Sequence, residues 1–152
     1  MISEVINRLL ETKTTIATAE SCTGGLVAKT ITDFSGVSEI FCEGYVTYSN
    51  EAKIKNLGVN PDTLEKYGAV SKGTCEEMAR GVRLRANSCI GVSTTGIAGP
   101  GGGTKEKPVG LVYIGVSTEE ESFVEELRLT GTREEIRQKT VDCVFKLIQK
   151  AL

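Results

Sequence analysis

The sequence predicts an α/β chain: a three-layer α/β/α sandwich with a mixed β-sheet in a single domain. Three observations carry that expectation. Short β-branched runs alternate with amphipathic helical runs from Ile2 to Thr95, the order expected of strands joined by crossover helices. Two further strand-like runs, Val109 to Ser117 and Ser122 to Leu129, flank the acidic turn Thr118-Glu119-Glu120-Glu121, so an antiparallel hairpin joins the sheet and makes it mixed. At 152 residues the chain suits one domain, 1–152, able to bury about two-thirds of its unfolded surface without a disulfide or metal staple.

Each element follows from local pattern. Ile2, Val5, Ile6, Leu9 and Leu10 recur at helical spacing and predict a first helix ending near Thr12. Thr14 to Ala19 reads as a strand running into Glu20-Ser21-Cys22-Thr23-Gly24-Gly25, and an apolar helical stretch, Leu26 to Phe34, follows. A second strand is expected from Cys42 to Tyr48. Ser49-Asn50-Glu51 then supplies a helix start, a capping residue with an acid in the first turn, and Lys53 falls in that turn. Pro61 to Tyr67 and Lys72 to Asn87 predict two more helices, the second with Cys75, Met78, Ala79 and Val82 on one face. Ser88 to Thr95 is a small-residue strand that opens into a glycine-dense loop from Gly96 to Thr104, and Thr132 starts the last helix.

Composition narrows the chemistry. The chain contains no histidine, which removes Ser-His-Asp and Cys-His nucleophiles, a histidine base and every histidine-containing zinc site. Lys and Arg total 18 against 20 Asp and Glu. With no long like-charge run, nothing predicts an electrostatic grip on nucleic acid or acidic lipid, and a small-molecule partner is the expectation. The five cysteines, Cys22, Cys42, Cys75, Cys89 and Cys143, form no C-x-x-C pair, so they read as reduced thiols rather than a disulfide framework or zinc ribbon. Glu4, Arg8 and Glu11 interrupt the N-terminal apolar residues, which suits neither a signal peptide nor a membrane span and predicts a cytoplasmic protein.

Three loops follow predicted strands, at Ser21, Tyr48 and Thr95, and in open α/β sheets ligands bind beyond the carboxyl ends of strands. Ser21 or Thr23 could cap the following helix; alternatively Ser21 is a nucleophile at a helix start, with Cys22 as a rival. A serine nucleophile without histidine needs another base, and a lysine of lowered pKa is the candidate. Lys53 fits if the turn after Tyr48 folds back toward Ser21, setting phenol beside amine; the alternative is a packed aromatic and a solvated lysine. The loop containing Gly96, Gly99, Gly101, Gly102 and Gly103 satisfies neither the P-loop nor the dinucleotide fingerprint spacing. It offers either backbone N–H groups to a ligand or a flexible surface turn. Arg133 and Arg137, one turn apart near a helix start, suit a phosphate or ordinary surface ion pairs.

Taken in order, Ala19-Glu20-Ser21-Cys22-Thr23-Gly24-Gly25, Tyr48-Ser49-Asn50-Glu51-Ala52-Lys53, Gly68-Ala69-Val70-Ser71, Thr95-Gly96-Ile97-Ala98-Gly99-Pro100-Gly101-Gly102 and Lys107-Pro108-Val109-Gly110 closely resemble the CinA C-terminal domain family. The resemblance spans nearly the whole chain. It implies a nicotinamide-nucleotide amidohydrolase, which hydrolyses the carboxamide of nicotinamide mononucleotide to nicotinic acid mononucleotide and ammonia in pyridine nucleotide salvage. Members occur alone or fused behind a larger molybdopterin-binding-like domain, and the stand-alone form is the expectation here. Carried over by motif, the family's catalytic serine, tyrosine and lysine fall on Ser21, Tyr48 and Lys53. The resemblance further implies substrate contacts at Thr23, Gly24, Thr95, Gly96, Gly99, Gly101, Arg133 and Arg137.

The expected chemistry is attack of Ser21 on the carboxamide, with neutral Lys53 as base and Tyr48 as proton relay, and with no metal or cofactor. Two readings stand beside it: a non-catalytic pyridine-nucleotide-binding regulatory module, and a serine amidase acting on another carboxamide. Alternating apolar residues on the late hairpin also leave room for a homo-oligomer.

Overall fold

The computed structural model describes all residues from Met1 to Leu152. Its elements run α1 (Ile2–Thr12), β1 (Ile16–Glu20), α2 (Leu26–Thr32), a 3₁₀ turn (Val37–Glu39), β2 (Phe41–Val46), α3 (Asn50–Leu57), α4 (Pro61–Tyr67), α5 (Lys72–Ala86), β3 (Ile90–Gly96), β4 (Leu111–Ser117), β5 (Ser122–Arg128) and α6 (Arg133–Ala151). The expected helices and strands are all present. The 3₁₀ turn lay outside the expectation, and β2 stops at Val46, two residues before Tyr48.

The strands form one sheet in the order β2-β1-β3-β4-β5. β1 pairs in parallel with both β2 and β3, whereas β4 is antiparallel to β3 and to β5. The sheet is therefore mixed, as the closing hairpin predicts. Because the chain leaves β1 for one neighbour and later returns to the other, the carboxyl ends of β1, β2 and β3 open side by side. Chain reversal at that point leaves a crevice where ligands sit in folds of this type.

Two helical layers follow from the strand faces. Ile16, Ile90, Val92, Val112, Ile114 and Val116 pack with Val5, Ile6, Leu9, Val27, Ile31, Ile136, Val144, Phe145 and Ile148 in the larger core, which places α1, α2 and α6 on one face of the sheet. Ala17 and Ala19, the alternate residues of β1, meet Leu57, Val59, Leu64, Met78 and Val82 on the other. Small residues let α5 approach that second face closely. A side chain at Gly91 of β3 would strike the carbonyl of Ala79, and one at Gly81 of α5 would strike the carbonyl of Leu57 at the end of α3. No helix is long and apolar enough to cross a membrane.

Candidate active site

Ser21 follows directly on β1, and its N–H donates to the Thr94 carbonyl of β3 at 3.0 Å, which fixes the start of the turn at the sheet's opening. α3 begins where Ser49 caps it by accepting from Ala52 N–H at 3.0 Å. This cap sets the helix phase so that Lys53, the fourth residue of the helix, points inward. Lys53 is 1% exposed and is among the largest fully buried side chains of the protein. Its Nζ lies 3.2 Å from Ser21 Oγ, 2.8 Å from the Thr47 carbonyl and 3.4 Å from the Tyr48 carbonyl.

That arrangement has a chemical meaning. The two carbonyls can take two N–H bonds of the amine, which leaves the third tetrahedral direction facing the serine oxygen. Burial holds the Lys53 pKa below the ordinary lysine value of 10.5 because it removes water from the ammonium. A neutral amine in this setting presents its lone pair to Ser21. Cys22, the rival at the same turn, is buried, and desolvation pushes its thiol up to about 11, the behaviour of an inert structural cysteine.

Tyr48 reaches the site differently from the expectation. The residue is 61% exposed, and its phenol oxygen accepts from Arg133 at 3.0 Å, so the phenol is not set beside the amine. The alternation of β2 carries on past its end, with Val46 exposed, Thr47 buried and Tyr48 exposed, so Tyr48 falls on the outward side. The residue contacts Lys53 through its backbone carbonyl instead.

The turn between β1 and α2 also departs from the simple capping idea. Gly25 is the N-cap of α2 and carries no side chain to cap it; neither Ser21 nor Thr23 does so. The acceptor is Glu20, whose carboxylate takes Val27 N–H at 2.7 Å and Ala28 N–H at 3.0 Å. Glu20 is a site residue that motif reading missed. The available signal was a helix whose N-cap position is glycine, which needs an acceptor from elsewhere. Thr23, expected to touch substrate, is fully buried, and its hydroxyl donates to Glu20 at 2.6 Å. Thr95 is likewise buried, and its hydroxyl donates to the Ala69 carbonyl at 2.8 Å. Both side chains face into the protein, so neither hydroxyl is free to donate to a ligand.

The two arginines separate. Arg133 is exposed and bridges two loops, donating to the Gly99 carbonyl at 2.7 Å as well as to Tyr48. Arg137 donates to the Thr23 carbonyl at 2.8 Å, and its Nε is buried with no acceptor. Its guanidinium lies against Gly24, where a side-chain carbon would sit 2.5 Å from Nη2. Gly96, Gly99 and Gly101 follow from β3 into the loop that Arg133 holds through Gly99. No group of three or more Cys, Asp and Glu side chains is placed to hold a metal ion.

A CinA C-terminal domain model matches residues 1–152. The chain belongs to the CinA C-terminal domain family. Among its relatives, a protein of Thermoanaerobacter named as competence-damage inducible is 55% identical over 152 residues, covering 99% of this chain and 37% of that protein. One of the same name in Clostridium acetobutylicum is 54% identical over 144 residues, covering 95% of this chain and 35% of its own. The chain thus spans about a third of the length of the curated relatives it matches. The crystal structure of the competence/damage inducible protein CihA from Agrobacterium tumefaciens superposes with a TM-score of 0.93 at 40% identity, covering 98% of this chain and 94% of that one. A CinA superfamily protein from Escherichia coli superposes with a TM-score of 0.93 at 29% identity, covering 100% and 91%. This CinA-family domain shares its α/β architecture with those structures.

Proposed function

We propose that this CinA-family domain hydrolyses the carboxamide of nicotinamide mononucleotide, releasing ammonia and nicotinic acid mononucleotide, with Ser21 as nucleophile and Lys53 as its base. The observation that carries this reading is the 3.2 Å approach of the buried Lys53 Nζ to Ser21 Oγ in a chain without histidine.

In the first half of the reaction, neutral Lys53 takes the Ser21 proton as the oxygen attacks the carboxamide carbon. The tetrahedral intermediate collapses when Lys53 returns that proton to the leaving nitrogen, so ammonia departs and an ester to Ser21 remains. Water then attacks the ester and gives its proton to Lys53, which passes it to the serine oxygen as the acid is released. The backbone N–H of Cys22, which donates to no backbone carbonyl, is the assigned stabiliser of the oxyanion, a donor worth about 3 kcal/mol in acyl transfer. Tyr48 enters through its carbonyl, which orients the amine, rather than as a phenol relay. Arg133, exposed at the rim between the Tyr48 and Gly99 loops, is assigned to the substrate phosphate, because a guanidinium matches phosphate oxygens in a bidentate way.

The test is ammonia release from nicotinamide mononucleotide by the purified chain without added metal, alongside calorimetry with the same nucleotide. Turnover that disappears in Ser21→Ala is the expected result. Tight binding with no ammonia would make the domain a nucleotide-binding module instead, and release from other carboxamides alone would replace the substrate.

A further inference from the structure

A buried polar chain lies directly beneath the Ser21 turn and has no part in the proton transfers above. Glu20 is 1% exposed, and Thr23 and Thr94 are fully buried. Thr23 Oγ1 is 2.6 Å from Glu20 Oε1 and 2.7 Å from Thr94 Oγ1. A carboxylate only accepts, so the single Thr23 proton points to Glu20, and Thr94 must then donate to Thr23. The direction of the chain is therefore fixed: Thr94 to Thr23 to Glu20. Hydroxyls aligned toward a charged acceptor strengthen one another, and a fully satisfied buried network is rigid.

Every link of this chain grips the turn that carries Ser21. Thr94 holds it twice, by its carbonyl on Ser21 N–H and by its hydroxyl on Thr23. Glu20 precedes Ser21 in sequence and is anchored by the first N–H groups of α2. The Thr23 carbonyl takes Leu26 N–H at 3.0 Å and Arg137 at 2.8 Å. Thr23 thus joins β1, β3, α2 and α6 at a point two residues from the serine. We propose that Thr23 is a positioning residue, and that the Thr94-Thr23-Glu20 chain holds Ser21 Oγ in line with Lys53 Nζ. The proposal rests on Ser21 being the nucleophile.

Reactivity of Ser21 toward a small fluorophosphonate tests it without any substrate. The labelling rate is followed from neutral pH to pH 10.5 by mass spectrometry for the wild type, Thr23→Val, Thr23→Ser and Ser21→Ala, with folding checked by circular dichroism. Misplacing a reacting atom by about 1 Å costs roughly 10²-fold. Thr23→Val is expected to lower the high-pH plateau by about that factor with an unchanged midpoint, and Thr23→Ser, which keeps the hydroxyl, to restore most of it. Equal plateaus in Thr23→Val and wild type would overturn the proposal while leaving Ser21 as nucleophile. A displaced midpoint with an unchanged plateau would also overturn it, since Thr23 would then act on Lys53. A wild type labelled no faster than Ser21→Ala would remove the nucleophile and the proposal together. If Thr23→Val does not fold, Thr94→Val carries the same expectation, and a wild-type rate in that variant overturns the proposal.

Discussion

At the scale of single residues, the buried amine of Lys53 has consequences for both rate and stability. Its pKa in the fold is depressed below 10.5 by loss of water, so the unfolded chain binds this proton more readily than the folded one. Between the lowered value and 10.5 the unfolded state carries more protons, and stability therefore rises with pH across that window, by at most about 1.4 kcal/mol per pH unit. Lys53→Met removes this dependence. Denaturant melts of the two proteins, compared from pH 7 to 10.5, should move in favour of the wild type as pH increases, while ammonia release in the variant is lost throughout. The wild-type rate should climb as pH approaches the lowered value and level off above it, because only the neutral amine can take the serine proton. Cys22 supplies the matching control. With its thiol pushed up to about 11, Cys22→Ala should keep activity within a few-fold of wild type, and a loss comparable to Ser21→Ala would reassign the nucleophile.

At the scale of elements, the placement of Lys53 depends on how α3 rests on α5. The contact is set by Gly81, which leaves room for the Leu57 carbonyl. A methyl group there must push α3 away, and overpacking of this kind costs about 1–3 kcal/mol. Gly81→Ala should lower the urea midpoint accordingly and also reduce the rate, since the helix that moves carries the base. A stability loss with full activity would show that α3 tilts without displacing Lys53. These elements were readable in the sequence because their signals are local: Ser49 before an acidic first turn marks α3, and Thr132 with Glu135 forms the capping box that starts α6. What stayed illegible depends on partners supplied by other elements. Glu20 reads in the sequence as the first residue of the loop after Thr14 to Ala19, and its task as acceptor for Val27 and Ala28 exists only once α2 folds back onto β1. Tyr48 shares the outward side of Val46, and its phenol is engaged by Arg133 from α6, a partner that no local pattern names.

At the scale of the molecule, the site joins the two ends of the chain. Ser21 and Lys53 come from the parallel half of the sheet, whereas Arg133 and Arg137 come from α6, which follows the antiparallel hairpin. The motifs named Ser21 and Lys53 as partners, and the two meet because β1 and β2 are neighbours; strand order and the packing of α6 over α2 were needed to separate the arginines. Arg137 is engaged with the Thr23 carbonyl beneath the turn, and Arg133 remains at the rim, tied only to a carbonyl and a phenol that an anion could displace. Arg133→Gln should therefore raise KM for nicotinamide mononucleotide while changing kcat little, because the interaction is made equally in ground and transition states. A hydrogen bond to a charged group contributes about 1.5–3 kcal/mol, so the expected rise is roughly tenfold or more. Nicotinamide riboside, which lacks the phosphate, provides the second arm of the cycle: wild type and Arg133→Gln should process it with equal kcat/KM. An equal loss on both substrates would mean that Arg133 acts through the Tyr48 and Gly99 loops rather than on phosphate, and Arg137→Gln compared in the same way would then show whether the buried Nε side of the second guanidinium takes the anion instead.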